Sequence, residues 1–256
     1  MSRNLADLRA PQVTELITAR SVLVQPVGAI EQHGPHLPFG TDLVIASAVA
    51  EAAVAEVGDE LDCWLLPPLA YTKSNEHAWS SGTIWLSATT LLAVLDDIGR
   101  CVATLPTDRL VFLNGHGGNS SLLQVANREL RLKHGLRTFL AHPGVPPDQG
   151  GASTAEELGM GIHGGTDETS VMLYLRPDLV DMAVAYRNVP EKIAANRYVR
   201  FGGAVAFGWL SNDFGPGGHI GDPTLASAER GKELFEGSVR AFCAALREIA
   251  AFDHGR

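Results

Sequence analysis

Apolar and polar positions fall in alternating blocks along this chain. Residues 21–27, 63–66, 109–113 and 136–141 are short runs dominated by apolar and β-branched side chains. Between them lie longer stretches with helical spacing: 43–57, Ala-rich and apolar on most faces, then 88–104, then the amphipathic 119–134. Short apolar runs suit buried strands, and longer segments of period ~3.6 suit helices. The order β-α-β-α-β-α-β predicts an α/β fold, with a mostly parallel central sheet flanked by helices, in a single domain over 1–256. Residues 168–175 read as a further helix. Asp222 then Pro223 read as an N-cap and first helical position, opening a helix to about residue 250. The Gly- and Pro-rich stretches 144–162 and 189–221 read as long functional loops or a lid. No internal repeat or low-complexity segment interrupts the pattern.

Composition narrows the function classes. Apolar residues make up 45% and charged residues 19% of the 256, values of a globular protein. The net charge of −9 comes with no basic cluster, which argues against nucleic acid or an anionic membrane as partner. Cys63, Cys101 and Cys243 are widely spaced in apolar stretches and read as small buried hydrophobes, without a C-x-x-C pair. No apolar run approaches the ~20 residues of a membrane span. The charged segment 1–18 lacks the apolar core of a secretory signal. The expected location is the cytoplasm.

The unusual residues fall where a parallel sheet binds its ligands, beyond the carboxyl ends of the strands. Glu31 and His33 follow the first strand, Glu76 and His77 the second, His116 the third and His142 the fourth. Three clusters stand out. In Glu31-Gln32-His33-Gly34-Pro35-His36-Leu37-Pro38, with Thr41-Asp42 after it, Glu31 and His33 alternate on extended backbone and can point the same way. Two carboxylates and an imidazole within twelve residues can hold a divalent transition metal. The plainer role for Asp42 is an N-cap, and for His36 a loop histidine held by backbone. Asn114-Gly115-His116-Gly117-Gly118-Asn119 is a Gly-rich strand-to-helix turn, but it has neither G-x-G-x-x-G spacing nor a Walker lysine, so a nucleotide fits poorly. In His163-Gly164-Gly165-Thr166-Asp167-Glu168-Thr169-Ser170, Thr166 reads as an N-cap. There Glu168 is a first-turn carboxylate, which the helix dipole alone would favour.

These three clusters, with Ser74-Asn75-Glu76-His77 and Gly221-Asp222-Pro223, resemble the creatininase family in order, from about Val22 to Glu229. The resemblance implies an α/β fold, a centre of two divalent metal ions (Zn, Mn or Fe), hydrolysis of C–N bonds in linear or cyclic amides, and often a homo-hexamer. Carried over by position, it makes Glu31, His33, Asp42 and His116 ligands, with Asp42 bridging. Two departures stand out. Creatininase proper has a carboxylate two residues after the histidine of N-G-H; here that place is Gly118, and Glu168 is the candidate for the fifth ligand. The E-H element usually continues into F-P-G-T; here it reads Ala78-Trp79-Ser80-Ser81-Gly82-Thr83, so the pocket wall should differ.

Two cations a few ångströms apart lower the pKa of a shared water from ~16 toward ~7, and one polarises the carbonyl. The leaving nitrogen needs a proton, and His163 is the candidate general acid–base, against simple packing on the Gly-Gly turn. Glu76, His77 and Gly117 are candidate substrate contacts, with Glu76 and His77 alternatively orienting the ligands. Trp79 and Trp85 read as core aromatics rather than pocket wall. The substrate expected is a small amide. Alternatives are a peptidase trimming a modified precursor peptide, a hydrolase of a cyclic polyol ketone, and a metal-binding protein without catalysis. As the resemblance implies, creatininase proper closes its pocket on the flat ring with tryptophans shortly before the histidine matched here by His163. The stretch 144–162 holds no aromatic residue, so creatinine is not the expected substrate, and Glu156 and Glu157 there would suit a polar or cationic group.

Overall fold

The computed structural model describes residues 2–145 and 154–254. The chain runs α1 (Ala10–Leu16), β1 (Val22–Val27), α2 (Thr41–Leu61), β2 (Cys63–Leu65), α3 (Ala88–Val102), β3 (Arg109–Asn114), α4 (Ser120–His134) and β4 (Arg137–Ala141). It continues through α5 (Thr166–Leu175), α6 (Glu191–Ala194) and α7 (Ala228–Ala251). The four strands form one sheet in the order β2-β1-β3-β4, every pair parallel, as the alternating blocks predict. Alternate side chains of the central strands go to opposite faces. Val22, Val24, Val111 and Leu113 pack against α2 and α7, while Leu23, Val27, Leu110 and Phe112 pack against α3 and α4. Both faces are covered, which is why the strands are apolar throughout instead of alternating.

Several boundaries differ from the sequence expectation. The second helix begins two residues before 43 and runs beyond 57, to Leu61, where Asp62 turns left-handed (φ 56°). Asp42 is therefore not its N-cap but lies in its first turn, behind Gly40. Asp222-Pro223 opens only a 3-10 turn (Pro223–Leu225); α7 starts separately, capped by Ser227, whose side chain accepts from Arg230 N. Gly165, not Thr166, precedes α5, because the Thr166 hydroxyl donates instead to Asp222 O at 2.7 Å. The short α1 went unread in the sequence. Cys101 is exposed on α3, whereas Cys63 and Cys243 are buried as expected. The stretch 189–221 is a packed unit rather than an open loop: Ala194 and Ile220 join Met160 in an apolar cluster with Phe201, Trp209 and Phe214. Of the stretch 144–162, residues 146–153 lie outside the described residues. No helix among the described residues is long and apolar enough to cross a membrane.

The sheet brings the site together through register and close packing. Val27 pairs with Asn114, so β1 and β3 end side by side and release their following turns at one edge. A Cβ on Gly28 would lie 2.5 Å from the Leu43 backbone, and one on Gly115 would lie 2.6 Å from the Asp42 carbonyl oxygen. Glycine at both places lets the first turn of α2 sit directly on the two strand ends. On the same side α5 packs on α7, where Gly231 meets the Ser170 backbone so closely that no side chain fits.

Candidate metal centre

Eight polar side chains converge beyond the carboxyl edge of the sheet, all buried: Glu31, His33, Asp42, Glu76, His77, His116, His163 and Glu168. The segment after β1 doubles back, with Glu31 N donating to Phe39 O, and so places Glu31 and His33 beside the start of α2. His116 stands in the turn between β3 and α4, and Glu168 in the first turn of α5. Glu76 and His77 sit on a 3-10 turn, Asn75–His77, well past β2.

The two oxygens of Asp42 face different partners. Oδ1 is 3.0 Å from His33 Nε2, which is also 3.5 Å from Glu168 Oε1. Oδ2 is 3.3 Å from His116 Nδ1, and His116 Nε2 is 3.3 Å from Glu31 Oε2. Two sets of metal-compatible donors, Glu31/Asp42/His116 and His33/Asp42/Glu168, thus share Asp42; a third combines Glu31, His33 and His163. Asp42 Oδ2 and Glu31 Oε1 are buried with no hydrogen-bond partner. A buried carboxylate oxygen without a donor is costly, and a divalent cation compensates it directly. Donors of N and O type, with no thiolate, suit Zn, Mn or Fe. The residues present therefore fit a pair of ions.

The titration behaviour follows from this crowding. Burial alone would lower the pKa of His33, but Asp42 and Glu168 raise it well above the usual imidazole range. Burial likewise opposes, and Glu31 and Asp42 overcome it, at His116. Burial pushes Glu168 up, with Asp42 adding to it. His163 goes the other way: burial, then His33 and His77, hold it well below the usual range, so it is neutral.

A polar surround fixes these groups. Ser74 Oγ donates to Glu31 Oε2 at 2.5 Å. Gln32 Nε2 lies 2.9 Å from His77 Nδ1 and donates to Gly218 O at 3.1 Å. Asn114 Nδ2 donates to His116 O at 2.7 Å, and Asn119 Oδ1 accepts from Lys73 N, which ties the His116 turn to the Glu76 segment. Gln32, Ser74, Asn114 and Asn119 all stand inside the sequence clusters, but composition gave them no role beyond filling. Trp209 was missed altogether: it stands edge-on to His77, ring centres 6.4 Å apart.

Other expectations change. His142, Glu76 and His77 belong to none of the three donor sets, which draw on the turns after β1 and β3, on α2 and on the start of α5. His36 is held by the Gly164 backbone, as expected, and also by a side chain, with Nε2 2.9 Å from Thr169 Oγ1. Trp79 and Trp85 are exposed, not core. Glu157 is fully buried and accepts from Thr166 N and Asp222 N, pinning the start of α5, so it is not available to a cationic ligand. His163 lies inside the cluster, its ring between those of His33 (4.1 Å) and His77 (4.3 Å), with Nε2 2.6 Å from Gln32 O. Gly117 is exposed at the mouth of the turn.

Comparison with known proteins agrees with this geometry. The family model for creatininase (creatinine amidohydrolase) matches residues 6–246. The chain belongs to the creatininase family. It is 36% identical over 240 residues to the mycofactocin precursor peptide peptidase of Mycobacterium ulcerans, covering 90% of this chain and 86% of the relative. It is 31% identical over 244 residues to the creatinine amidohydrolase of Pseudomonas putida, covering 89% of each. The solved structure described as creatininase Mn superposes with a TM-score of 0.76 at 27% identity, covering 97% of this chain and 98% of that one. Glu168 falls in a donor set with His33 and Asp42, and the carboxylate next to Gly118 is that of Glu76.

Proposed function

We propose that this creatininase-family hydrolase is metal-dependent and cleaves a C–N bond in a peptide-like amide, with Glu31, His33, Asp42, His116 and Glu168 holding two divalent ions. The observation that carries the reading is Asp42, whose oxygens serve two donor sets while Oδ2 has no hydrogen-bond partner. The ions would supply Lewis acidity and an acidified water when bound. His163 does the proton transfer. It donates Nε2–H to the Gln32 carbonyl, which leaves the Nδ1 lone pair turned into the cluster, 3.6 Å from Glu31 Oε1. A neutral imidazole so held can take a proton and return it to the leaving nitrogen. His77 and the exposed Gly117 line the approach, and Trp209 offers the aromatic surface that 144–162 lacks. Identity is higher to the peptidase than to the creatinine amidohydrolase, which favours a peptide amide over a small ring. Assembly as a homo-oligomer, with a hexamer as the family expectation, belongs to the same reading and is checked by light scattering.

The test is a mass-spectrometric assay of Zn- or Mn-loaded protein against short peptides, small amides, a cyclic polyol ketone and creatinine. Peptide cleavage, with creatinine turned over barely or not at all, is expected. A creatinine kcat/KM of ~10⁴ M⁻¹s⁻¹ or more, with peptides untouched, overturns the peptide assignment.

A further inference from the structure

Gly118 is conspicuous because its backbone does not require glycine. It is absent from the residues with positive φ, so an alanine would meet no backbone strain there. What excludes a side chain is space: a Cβ at 118 would collide with Glu76 Oε1 and His116 Nε2. Glu76 Oε1 is itself 3.3 Å from His116 Nε2, and Glu76 Oε2 accepts from Lys73 Nζ at 2.7 Å. The Lys73 carbonyl is 2.9 Å from the same His116 nitrogen. The other ring nitrogen, Nδ1, faces Asp42 Oδ2. Glu76 is not itself in any of the metal-compatible donor sets.

We propose that Glu76 is a positioning residue for His116. Resting on the two-ion centre described above, it and the Lys73 carbonyl hold His116 Nε2–H, which presents Nδ1 as the ligand beside Asp42. Gly118 is the space this carboxylate needs. A metal-bound histidine is commonly oriented by a carboxylate or carbonyl on its far nitrogen, and loss of that partner weakens binding by roughly 10–100-fold. The arrangement delivers a carboxylate to His116 from the segment after β2, with Lys73 neutralising its outer oxygen. Positions 76 and 118, 42 residues apart in sequence, thus compete for one volume.

The test measures Zn²⁺ binding to metal-free protein by competition with a chromophoric chelator, with melting temperature of the metal-free forms alongside. Wild type should bind two ions. Glu76→Ala should weaken one ion by roughly 10–100-fold and leave the other near wild type. Glu76→Gln, which keeps an acceptor of the same reach, should recover part of the loss. Gly118→Ala, which puts a methyl where the Glu76 oxygen stands, should weaken the same ion. Wild-type affinity in Glu76→Ala overturns the proposal, as does equal weakening of both ions with a fall in melting temperature, the mark of a general packing role. Should Gly118→Ala fail to fold, the Ala and Gln variants at 76 still decide. A wild-type protein that binds no ion overturns the metal centre itself.

Discussion

Replacing Asp42 with alanine separates a metal bridge from a helix-start residue. In the metal-free protein, the change removes the contacts to His33 Nε2 (3.0 Å) and His116 Nδ1 (3.3 Å), and a first-turn carboxylate of α2. The first-turn position is worth ~0.3–1 kcal/mol and losing one partner of the buried charged pairs with His33 and His116 costs ~3–5 kcal/mol, of which relief of repulsion with Glu168 offsets part. The metal-free melting temperature should therefore fall by roughly 6–20 °C, at ~2–4 °C per kcal/mol for a chain this size. The metal-bound protein behaves differently. A ligand at about 100 times its Kd stabilises by ~2.7 kcal/mol per site, so two ions contribute ~5 kcal/mol. That corresponds to roughly 10–20 °C of metal-induced stabilisation in wild type. Asp42→Ala should lose nearly all of this gain, because both donor sets share Asp42. Calorimetric melts of wild type and variant, with and without Zn²⁺ and with elemental analysis of each, read the two effects separately. A variant that keeps two ions and its full metal-induced shift refutes the bridge.

Glu168→Gln should weaken only the ion shared with His33, because Glu168 is absent from the Glu31/Asp42/His116 set; isothermal titration showing equal loss at both sites contradicts this. Gly231→Ala should destabilise by ~1–3 kcal/mol, since its methyl would overlap the Ser170 carbonyl and force α7 off α5; urea unfolding with an unchanged midpoint would count against that packing. Metal binding should strengthen as pH rises, and release protons. Their carboxylate neighbours raise the pKa of His33 and His116, so both carry protons near neutral pH that an ion must displace. Calorimetry in buffers of different ionisation enthalpy, showing no proton release at pH 7, would contradict this.

Local pattern determined the parts of this protein that depend on nearest neighbours in the chain. Apolar runs of strand length and longer helical blocks fix four parallel strands and their covering helices, because burial on both faces demands continuous apolar strands. The clusters around Glu31, His116 and Glu168 were legible too, since each follows a strand or opens a helix at the edge where ligands bind. Local signals misled where a distant group competed for the same atoms. Thr166 looks like a helix cap, but its hydroxyl bonds the Asp222 carbonyl; Asp222 caps only a 3-10 turn, and Ser227 caps α7. Glu157 looks like an exposed loop carboxylate, but two backbone N–H groups from different segments bury it. Trp79 and Trp85 look like core, but neither joins the cluster on the sheet face, where Trp64 and Phe112 pack with aliphatic side chains, and both stay exposed. Above all, pairing within the site was a tertiary decision. Sequence spacing cannot say that Asp42 turns one oxygen to His33 and the other to His116, or that Glu76 fills the space beside Gly118. Those contacts exist only because β1 and β3 end in register and α2 packs on them at glycine distance.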